Sequence, residues 1–446
     1  MTRWQHKALK ELAMEQFIYY LKVSLISIRR APLPYALTIF ILSVGLGVFF
    51  ANATFYYQLN SDPLPEKSDK LFFPMLNLVP YECSTDCRTP RVLSYSNVEK
   101  LSQTDTPSQA AAMYSADGYL RQRADQTPLP VSIRITQRDF FAMFDVPVLH
   151  GSIWPDNSAR PEVILTKATA EKLFGKSDVV GEKLLLDDRN VTVSAVLDDW
   201  QMLPRLYDAN NRNHLSEADD IYLPLETGYD MNYLSNSQSQ TFDDTDYRQL
   251  STQGRTGALH QLQYWVKLDT PAQQQAYRQF MTNLVQDEKA AGRHPSPPNN
   301  QLVAMRDIVS YFGGDSSDIK AFALVTLLFL LVCLFNASHL SLNRYLSNQY
   351  EFSLRRALGA SRSQLQLQML ADVLIMALFT ISGALLTGYG GIKLMNNLLP
   401  ANRLFSDWDL TLLLGLLTVA VICSYLVTLY PSLRASFGSL NQQLKE

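Results

Sequence analysis

Four long apolar runs limit the possible folds of this chain more than any other feature of its sequence. They cover Pro34–Tyr57, Ala321–Phe335, Leu374–Met395 and Leu410–Tyr430. A helix of roughly 20 apolar residues crosses the hydrocarbon core of a bilayer, which is about 30 Å thick. The second run reaches that length as Ile319–Leu342, with Asn336, Ser338 and His339 near an interface or packed against protein. The sequence therefore predicts four transmembrane helices.

The first run has an alternative interpretation as a cleaved signal peptide. Arg29 and Arg30 precede it, and Ala51-Asn52-Ala53 resembles a cleavage site. Against cleavage, the leader has a helical pattern of its own and is longer than the charged region of a signal peptide. The run also continues into the aromatic residues 55–57, which are typical of a membrane interface. We therefore favour a retained anchor.

Basic residues near the ends of the runs predict the orientation, because cytoplasmic loops carry an excess of Lys and Arg. The leader contains Arg3, Lys7, Lys10, Lys22, Arg29 and Arg30. The loop between helices two and three contains Arg344, Arg355, Arg356 and Arg362. The loop between helices three and four holds only Arg403, beside Asp407 and Asp409. Both termini are therefore expected in the cytoplasm, and the long segment between helices one and two outside.

The predicted fold is an α-helical membrane protein with four transmembrane helices and a large external α+β domain inserted between helices one and two. The predicted boundaries are a leader at 1–33, helix one at 34–57, the external domain at 58–318, helix two at 319–342, a cytoplasmic segment at 343–369, helix three at 370–395, an external loop at 396–409, helix four at 410–430 and a cytoplasmic tail at 431–446. The formal net charge is −3, so no basic surplus points to nucleic acid as a partner.

The leader contains a predicted amphipathic helix over Met14–Arg30. Its apolar stripe consists of Met14, Phe17, Ile18, Leu21, Leu25 and Ile28. Such a helix lies in the cytoplasmic membrane interface or packs on a soluble partner, and its place directly before a span favours the membrane. Pro32 and Pro34 are expected to break it.

The external domain alternates strand and helix patterns. We predict strands at Lys70–Leu78, with Pro74 at an edge or bulge, and at Ser132–Ile135, Val163–Thr166, Leu262–Leu268 and Leu302–Met305. Lys183–Leu186 and Val191–Leu197 should form a hairpin across residues 187–190. Helices are expected at Ala168–Phe174, at Pro271–Lys289 and from Asn97, where Ser96 and Glu99 form a capping box. The polar stretch at about 207–257 is expected to form long loops.

Four cysteines divide into two kinds. Cys333 and Cys423 lie in apolar runs and are interpreted as small hydrophobic residues. Cys83 and Cys87 lie in the external segment, where an oxidising compartment favours a local disulfide. A metal site is the alternative, but the pair supplies only half of a tetrahedral ligand set. No metal is expected.

No constellation of catalytic residues is recognisable in the sequence. Gly175-Lys176-Ser177 imitates the end of a phosphate-binding loop, but Ala170 stands where its first glycine is required. The six histidines are scattered and are interpreted as structural. We therefore expect a chain that is not an enzyme.

A short charged stretch between the second and third apolar runs is the most informative motif. It reads NQYEFSLRRALGASRSQLQLQMLADVL over Asn348–Leu374. Gly359 can supply the left-handed residue that ends a helix, and Ser361 can cap the next helix. Gln364 completes a capping box with Ser361. The sequence thus predicts a helix, a break and a second helix at a membrane surface.

This stretch closely resembles the cytoplasmic segment of MacB/FtsX-type ABC transporter permeases. The matching residues are Glu351, Arg355, Arg356, Ala357, Gly359, Ala360 and Asp372. YPSLRA at Tyr430–Ala435 resembles the motif that follows the last helix of the family, and the external segments GSIW, VILTKATAEKLFG, VGEKL and VSAVLDD resemble its MacB periplasmic core domain. Departures are Ser353, where the family more often has Gly or Ala, and the tail after Arg434.

The resemblance implies a permease subunit in the bacterial inner membrane, without a fused ATPase. A separate ABC ATPase would use ATP and Mg, and this chain would bind no cofactor. The ATPase-coupling residues would be Glu351, Arg355, Arg356, Gly359, Ala360 and Arg362. A basic membrane anchor is the simpler interpretation of the arginines, but it would need neither the glycine nor the capping box.

The resemblance also implies a dimer with a second copy or a paralogue, and mechanotransmission, in which ATPase closure moves the periplasmic domain. Efflux of, or resistance to, peptides or other amphiphiles is the expected role, with a periplasmic adaptor and an outer-membrane duct as further partners beside lipid. Lipoprotein extraction and a non-transporting FtsX-like scaffold that signals to a periplasmic partner remain open.

Two further features lie on helix three. Gly383, Thr387 and Gly391 recur every four residues and could form a helix-packing or dimer face, although chance spacing is nearly as good an explanation. Asp372 lies near the cytoplasmic start of the helix, where we expect an arginine of the charged stretch as its partner.

Overall fold

The structure is a computed structural model and describes residues 18–30, 32–78, 89–155, 158, 160–210, 216–241, 255, 259–293, 299–311, 317–347, 354, 357–359, 361–398 and 410–437. The helices are α1 (residues 18–30), α2 (Pro32–Asn60), α3 (Tyr95–Leu101), α4 (Asp139–Met143), α5 (Lys167–Phe174), α6 (Leu225–Asp230), α7 (Pro271–Ala290), α8 (Ile308–Tyr311), α9 (Ser317–Ser347), α10 (Arg362–Leu398) and α11 (Leu410–Phe437). The strands are β1 (Leu71–Met75), β2 (Leu93–Ser94), β3 (Gln109–Arg121), β4 (Leu129–Thr136), β5 (Val148–Gly151), β6 (Glu162–Thr166), β7 (Lys183–Leu186), β8 (Arg189–Leu197), β9 (Ile221–Pro224), β10 (Gln240–Thr241), β11 (Leu259–Lys267) and β12 (Gln301–Ala304).

The chain divides into two compact units. Residues 1–58 and 315–446 form one, which we call the helical unit. Residues 59–314 form the other, which we call the strand-rich unit. The predicted external domain, 58–318, has nearly the same limits as the strand-rich unit.

Among the described residues of the helical unit, four helices, α2, α9, α10 and α11, are long and apolar enough to cross a membrane. Their apolar stretches are Pro32–Gln58, Ala321–Asn343, Leu370–Leu394 and Leu410–Val427. The last helix continues to Phe437, so the motif at Tyr430–Ala435 lies inside a helix and does not follow it. Pro431 removes one backbone donor but does not prevent the residues after it from remaining helical.

These four helices share an apolar core. It contains Leu46 and Phe50 of α2, Leu330 of α9, Ala384 of α10, and Leu416, Ala420 and Cys423 of α11. Cys333 and Cys423 are buried and form no disulfide, which agrees with their interpretation as small hydrophobic residues. Of the predicted amphipathic stripe in the leader, Ile18 and Leu25 are exposed on α1, whereas Met14 and Phe17 lie outside the described residues.

One mixed sheet forms the centre of the strand-rich unit. Its strand order is β12-β1-β11-β3-β4-β9-β6-β8-β5, while β2 and β10 pair with β11, and β7 pairs with β3 and β8. The pairs β4–β9 and β6–β8 are parallel. Tyr277, Met281 and Val285 of α7 belong to the same buried apolar cluster as the sheet residues.

The largest correction concerns the polar stretch at 207–257, which is not made of loops throughout. It contains β9, a fully buried strand that pairs with β4 on one side and β6 on the other. Tyr207 and Asp208 are also buried. The polar residues around β9 masked a strand of only four residues, and the prediction of loops was wrong there.

Other strands were missed or misplaced. β3 is the longest strand of the sheet, but its sequence QAAAMYSADGYLR lacks the β-branched residues typical of strands and was not predicted. α4 and β5 were also missed. β1 pairs with β11 on one side and with the edge strand β12 on the other, so it is an inner strand and not the edge strand that Pro74 suggested. Pro74 pairs with Leu302 of β12 and lies beyond the part of β1 that pairs with β11.

Two local predictions need adjustment. The short helix α3 is capped by Ser94, whose side chain accepts a hydrogen bond from the Asn97 backbone, and not by Ser96. The β7–β8 hairpin is confirmed, but its turn contains two residues, Asp187 and Asp188, and not four. Both have positive φ angles of 47° and 66°, as a tight turn of the type I′ kind requires.

Candidate functional site

The charged stretch between α9 and α10 folds locally as the sequence predicts. The backbone N–H of Leu358 donates to the carbonyl of Leu354 at 2.9 Å, which closes a helical turn. Gly359 then has a φ of 98°, a conformation that L side chains rarely adopt. The Ser361 N–H donates to Gln364 Oε1 at 2.9 Å, and the Gln364 N–H donates to Ser361 Oγ at 3.3 Å. The predicted break and capping box are therefore confirmed.

We call residues 343–369 the coupling segment. Within this segment the structure exposes two apolar side chains that sequence reasoning missed, Leu354 and Leu358, and Leu358 is 80% exposed. Their spacing of four residues places both on one helical face. Glu351, Arg355, Arg356 and Ala360 lie outside the described residues, as does the side chain of Arg362, so their coupling role stays a prediction.

Asp372 is buried near the start of α10, and the structure gives it a partner that was not expected. The hydroxyl of Ser24, itself only 2% exposed, donates a short hydrogen bond to Asp372 Oδ1. This bond joins α1 to α10. A polar side chain that is buried in apolar surroundings needs a hydrogen-bonding partner. The buried carboxylate of Asp372 therefore required one, and Ser24 of the amphipathic leader helix was a candidate that sequence reasoning missed. A contact with an arginine of the coupling segment stays a prediction.

The predicted small-residue face of α10 is divided by the structure. Gly383 lies against Ser43 of α2, and Thr387 lies against Gly47 of α2. Gly391 has no atom within 4 Å of where its Cβ would be. The first two positions therefore contact α2 within the chain, whereas Gly391 faces open space. A contact with a second copy stays a prediction.

The strand-rich unit holds a buried cluster of charges that the sequence did not reveal. Arg134 of β4 donates to Asp208 at 2.6 Å and to Asp219 at 2.8 Å. Arg205 also pairs with Asp219. All four side chains are nearly or fully buried. We call Arg134, Arg205, Asp208 and Asp219 the buried charge cluster.

Aromatic and amide groups complete the surroundings of this cluster. The guanidinium groups of Arg134 and Arg205 lie 5.2 and 5.1 Å from the ring centre of Tyr207, and Gln263 donates to Asp208 at 2.6 Å. Burial alone would raise the pKa of Asp208, but the charges of Arg134 and Arg205 hold that pKa well below its ordinary value. The ion pairs of the cluster thus connect Asp208 and Asp219 directly, and Arg205 through Asp219, to Arg134 of β4.

Two predictions remain, the disulfide between Cys83 and Cys87 and the expectation that no metal is bound. Cys83 and Cys87 lie outside the described residues, so their disulfide stays a prediction. In the part of the chain that the structure describes, no group of three or more His, Cys, Asp or Glu side chains is placed to hold a metal ion.

Comparison with known proteins gives two matches to domain families. Residues 35–284, more than half of the chain, match the MacB-like periplasmic core domain. Residues 321–439 match the FtsX-like permease C-terminal domain. A search of curated proteins gave no match.

Two solved structures are similar to part of the chain. The periplasmic region of MacB from Actinobacillus actinomycetemcomitans is 12% identical, with a TM-score of 0.36, over 56% of this chain and 94% of that one. The extracellular domain of the noncanonic ABC-type transporter YknZ from Gram-positive bacteria is 15% identical, with a TM-score of 0.33, over 52% of this chain and 99% of that one. The assignment to a family rests on the two domain matches, and the chain belongs to the MacB/FtsX-type ABC transporter permeases.

Proposed function

We propose that this chain is the permease subunit of an ABC transporter in which a separate ATPase drives movement of the strand-rich unit by mechanotransmission. The strand-rich unit is inserted between the first two membrane helices on the periplasmic side of the inner membrane, and both termini are cytoplasmic. Efflux of, or resistance to, peptides or other amphiphilic compounds is the transport role that we propose. The chain acts as a dimer with a second copy or a paralogue.

The observation that carries this proposal is the geometry of the coupling segment. A helical turn with two exposed leucines, Leu354 and Leu358, ends at Gly359, and a capped helix starts directly afterwards. A segment whose arginines served only to anchor the chain at the membrane surface would need no such fixed break between two helices. An exposed apolar face beside arginines fits the docking surface of a protein partner, because apolar contact gives affinity and charge gives orientation.

Charge reversal in the coupling segment tests the docking. We expect Arg355→Glu, Arg356→Glu and Arg362→Glu together to abolish co-purification of the ATPase, because the introduced glutamates would repel its acidic groups. The matched control reverses Arg29 and Arg30, which are exposed on α1 in the leader. Association that is unchanged in the triple variant contradicts the proposed docking.

A second measurement tests the division of labour between subunits. Purified alone, the chain should not hydrolyse ATP, and hydrolysis should appear when its partner ATPase is added. Turnover by the purified chain, in a preparation shown by mass spectrometry to lack other ATPases, would overturn the assignment as a separate permease subunit.

A further inference from the structure

We propose that α2 and α10 move as one body, and that the contact between them carries movement from the coupling segment to the strand-rich unit. We call this contact the α2–α10 seam and define it by Ser43, Gly47, Gly383, Thr387 and Gly388. The proposal rests on the proposed function and assigns the five residues a positioning role in it.

The seam is so close that larger side chains do not fit at its glycines. A Cβ on Gly383 would lie 2.2 Å from Ser43 Oγ and 2.8 Å from Ser43 Cβ. A Cβ on Gly47 would lie 2.0 Å from Thr387 Oγ1 and 3.0 Å from the Gly388 backbone nitrogen. Small residues of this kind let two helix backbones approach each other inside a membrane.

Hydrogen bonds cross the same seam in both directions. Ser43 Oγ donates to the carbonyl of Thr380 at 3.3 Å, and Thr387 Oγ1 lies 2.9 Å from the carbonyl of Ser43. A shift of α10 by one turn would place Phe379 or Thr387 opposite Ser43, in the position of Gly383. Since one additional carbon does not fit there, the two helices resist sliding past each other.

In this proposal, force enters the seam at the start of α10, which follows the coupling segment, and leaves it at the end of α2, which precedes the strand-rich unit. α10 starts at Arg362, directly after the break at Gly359. α2 ends at Asn60. The next residue, Ser61, donates from its hydroxyl to the carbonyl of Leu203 at 3.3 Å.

The chain after α2 is fastened to the strand-rich unit at two places. Beside the Ser61 contact, Lys67 donates to the carbonyl of Ala142 at 2.8 Å and pairs with Asp145. Leu203 lies two residues before Arg205, which belongs to the buried charge cluster and is thereby held to β4. A displacement of α2 therefore reaches the sheet through a short and well-connected route.

The experiment uses the permease and its ATPase together in lipid nanodiscs. All four native cysteines are replaced, and spin labels are attached to cysteines introduced at Tyr119 in the strand-rich unit and Phe335 on α9, which are 59% and 75% exposed. The label-to-label distance is measured with and without ATP, using an ATPase variant that binds but does not hydrolyse ATP. Co-purification of the ATPase is measured in parallel.

Gly383→Ala should abolish the ATP-dependent change in distance while the ATPase still co-purifies, because the coupling segment is untouched. Gly390→Ala on the same helix, where a Cβ meets nothing within 4 Å, should keep the full change. The exchange variant Ser43→Gly with Gly383→Ala moves the side chain from α2 to α10 and should restore the change. Thr387→Val removes the hydroxyl but keeps the shape, and should reduce the change in a protein that folds.

A full change in Gly383→Ala or in Thr387→Val overturns the seam proposal, as does failure of the exchange variant to restore the change. Equal loss in Gly390→Ala overturns it as well, since the effect is then unrelated to contact with α2. A wild-type protein without any ATP-dependent change, or without bound ATPase, refutes the proposed function itself. The two failures are thus distinguishable.

Discussion

The helical unit and the strand-rich unit hold their interiors together in different ways. In the helical unit, glycine and serine let α2 and α10 approach closely, and single hydroxyl groups bond to backbone carbonyls across the seam. In the strand-rich unit, two arginines and two aspartates are buried together beside the ring of Tyr207.

The difference follows from how each unit satisfies its backbone. A helix pairs its own N–H and C=O groups, so helices need only close contact with each other. Residues 205–210 and 216–219 lie outside helices and strands, and side chains bond to their backbone, as Trp265 Nε1 does to the Tyr207 carbonyl at 2.8 Å. Removal of a partner should therefore be severe in the strand-rich unit, whereas an added atom should be the damaging change in the helical unit.

The largest effect is expected from Arg134→Ala. It leaves Asp208 and Asp219 buried with only Arg205 to pair with, and breaking a buried ion pair in this way costs about 3–5 kcal/mol of unfolding free energy. Urea unfolding of the full chain in nanodiscs, followed by tryptophan fluorescence, measures the loss. Arg123→Ala is the control, because its pair with Asp125 is about 70% exposed on both sides and is worth about 0–1 kcal/mol. Equal effects of the two variants would erase the distinction between the units.

A smaller effect is expected from Gly47→Ala in the helical unit. Overpacking of a tight contact typically costs about 1–3 kcal/mol. In the same helical unit, Gly390→Ala should be neutral or stabilise by up to about 1 kcal/mol, because it gains helix propensity without a clash. Unfolding in mixed micelles compares the two variants. If Gly47→Ala is as stable as Gly390→Ala, the seam is looser than the structure indicates.

The smallest effect concerns acid stability in the strand-rich unit. Hydrogen bonding by Arg293 and Lys100 lowers the pKa of Glu288 from 4.5 to about 2. Because the folded pKa is the lower one, this stabilisation is present above about pH 4.5 and is lost as the pH falls towards 2. Glu288→Gln should therefore remove about 1–2 kcal/mol at neutral pH and flatten the decline between pH 4.5 and 2.

The control for this titration is Glu182→Gln, whose carboxylate is half exposed and 3.8 Å from Lys176. It should leave the stability at neutral pH nearly unchanged, because an exposed pair of this kind contributes little. An acid slope in Glu288→Gln equal to that of the wild type would show that the pairing contributes nothing.

The helical unit could be predicted well from the sequence because its signals are local. Long apolar runs define α2, α9, α10 and α11, and a glycine with a serine two residues later defines the break before α10. Gly391 was predicted to share the role of Gly383, but periodicity alone does not reveal which face of a helix meets a neighbour. The bond between Ser24 and Asp372 joins residues far apart in the chain and leaves no periodic pattern.

The strand-rich unit was predicted less well because much of it depends on contacts between distant residues. The β7–β8 hairpin and α7 were found from local patterns. β3 was missed because its alanines become strand residues only when β4 and β11 pair on both sides. β9 and the buried charge cluster were missed for the same reason. In the sequence, Asp208 and Asp219 have the pattern of solvated loop residues, and only the fold brings Arg134 of β4 into contact with both.

The central claim is that ATP binding by a separate ATPase moves the strand-rich unit through this chain. The most direct measurement is the distance between labels at Tyr119 and Phe335 in the cysteine-replaced permease with no other substitution, with ATP and the ATPase added separately and together. The account predicts a changed distance only when both are present, and loss of that change when Arg355, Arg356 and Arg362 are reversed to Glu. A distance that stays the same with both present would contradict it.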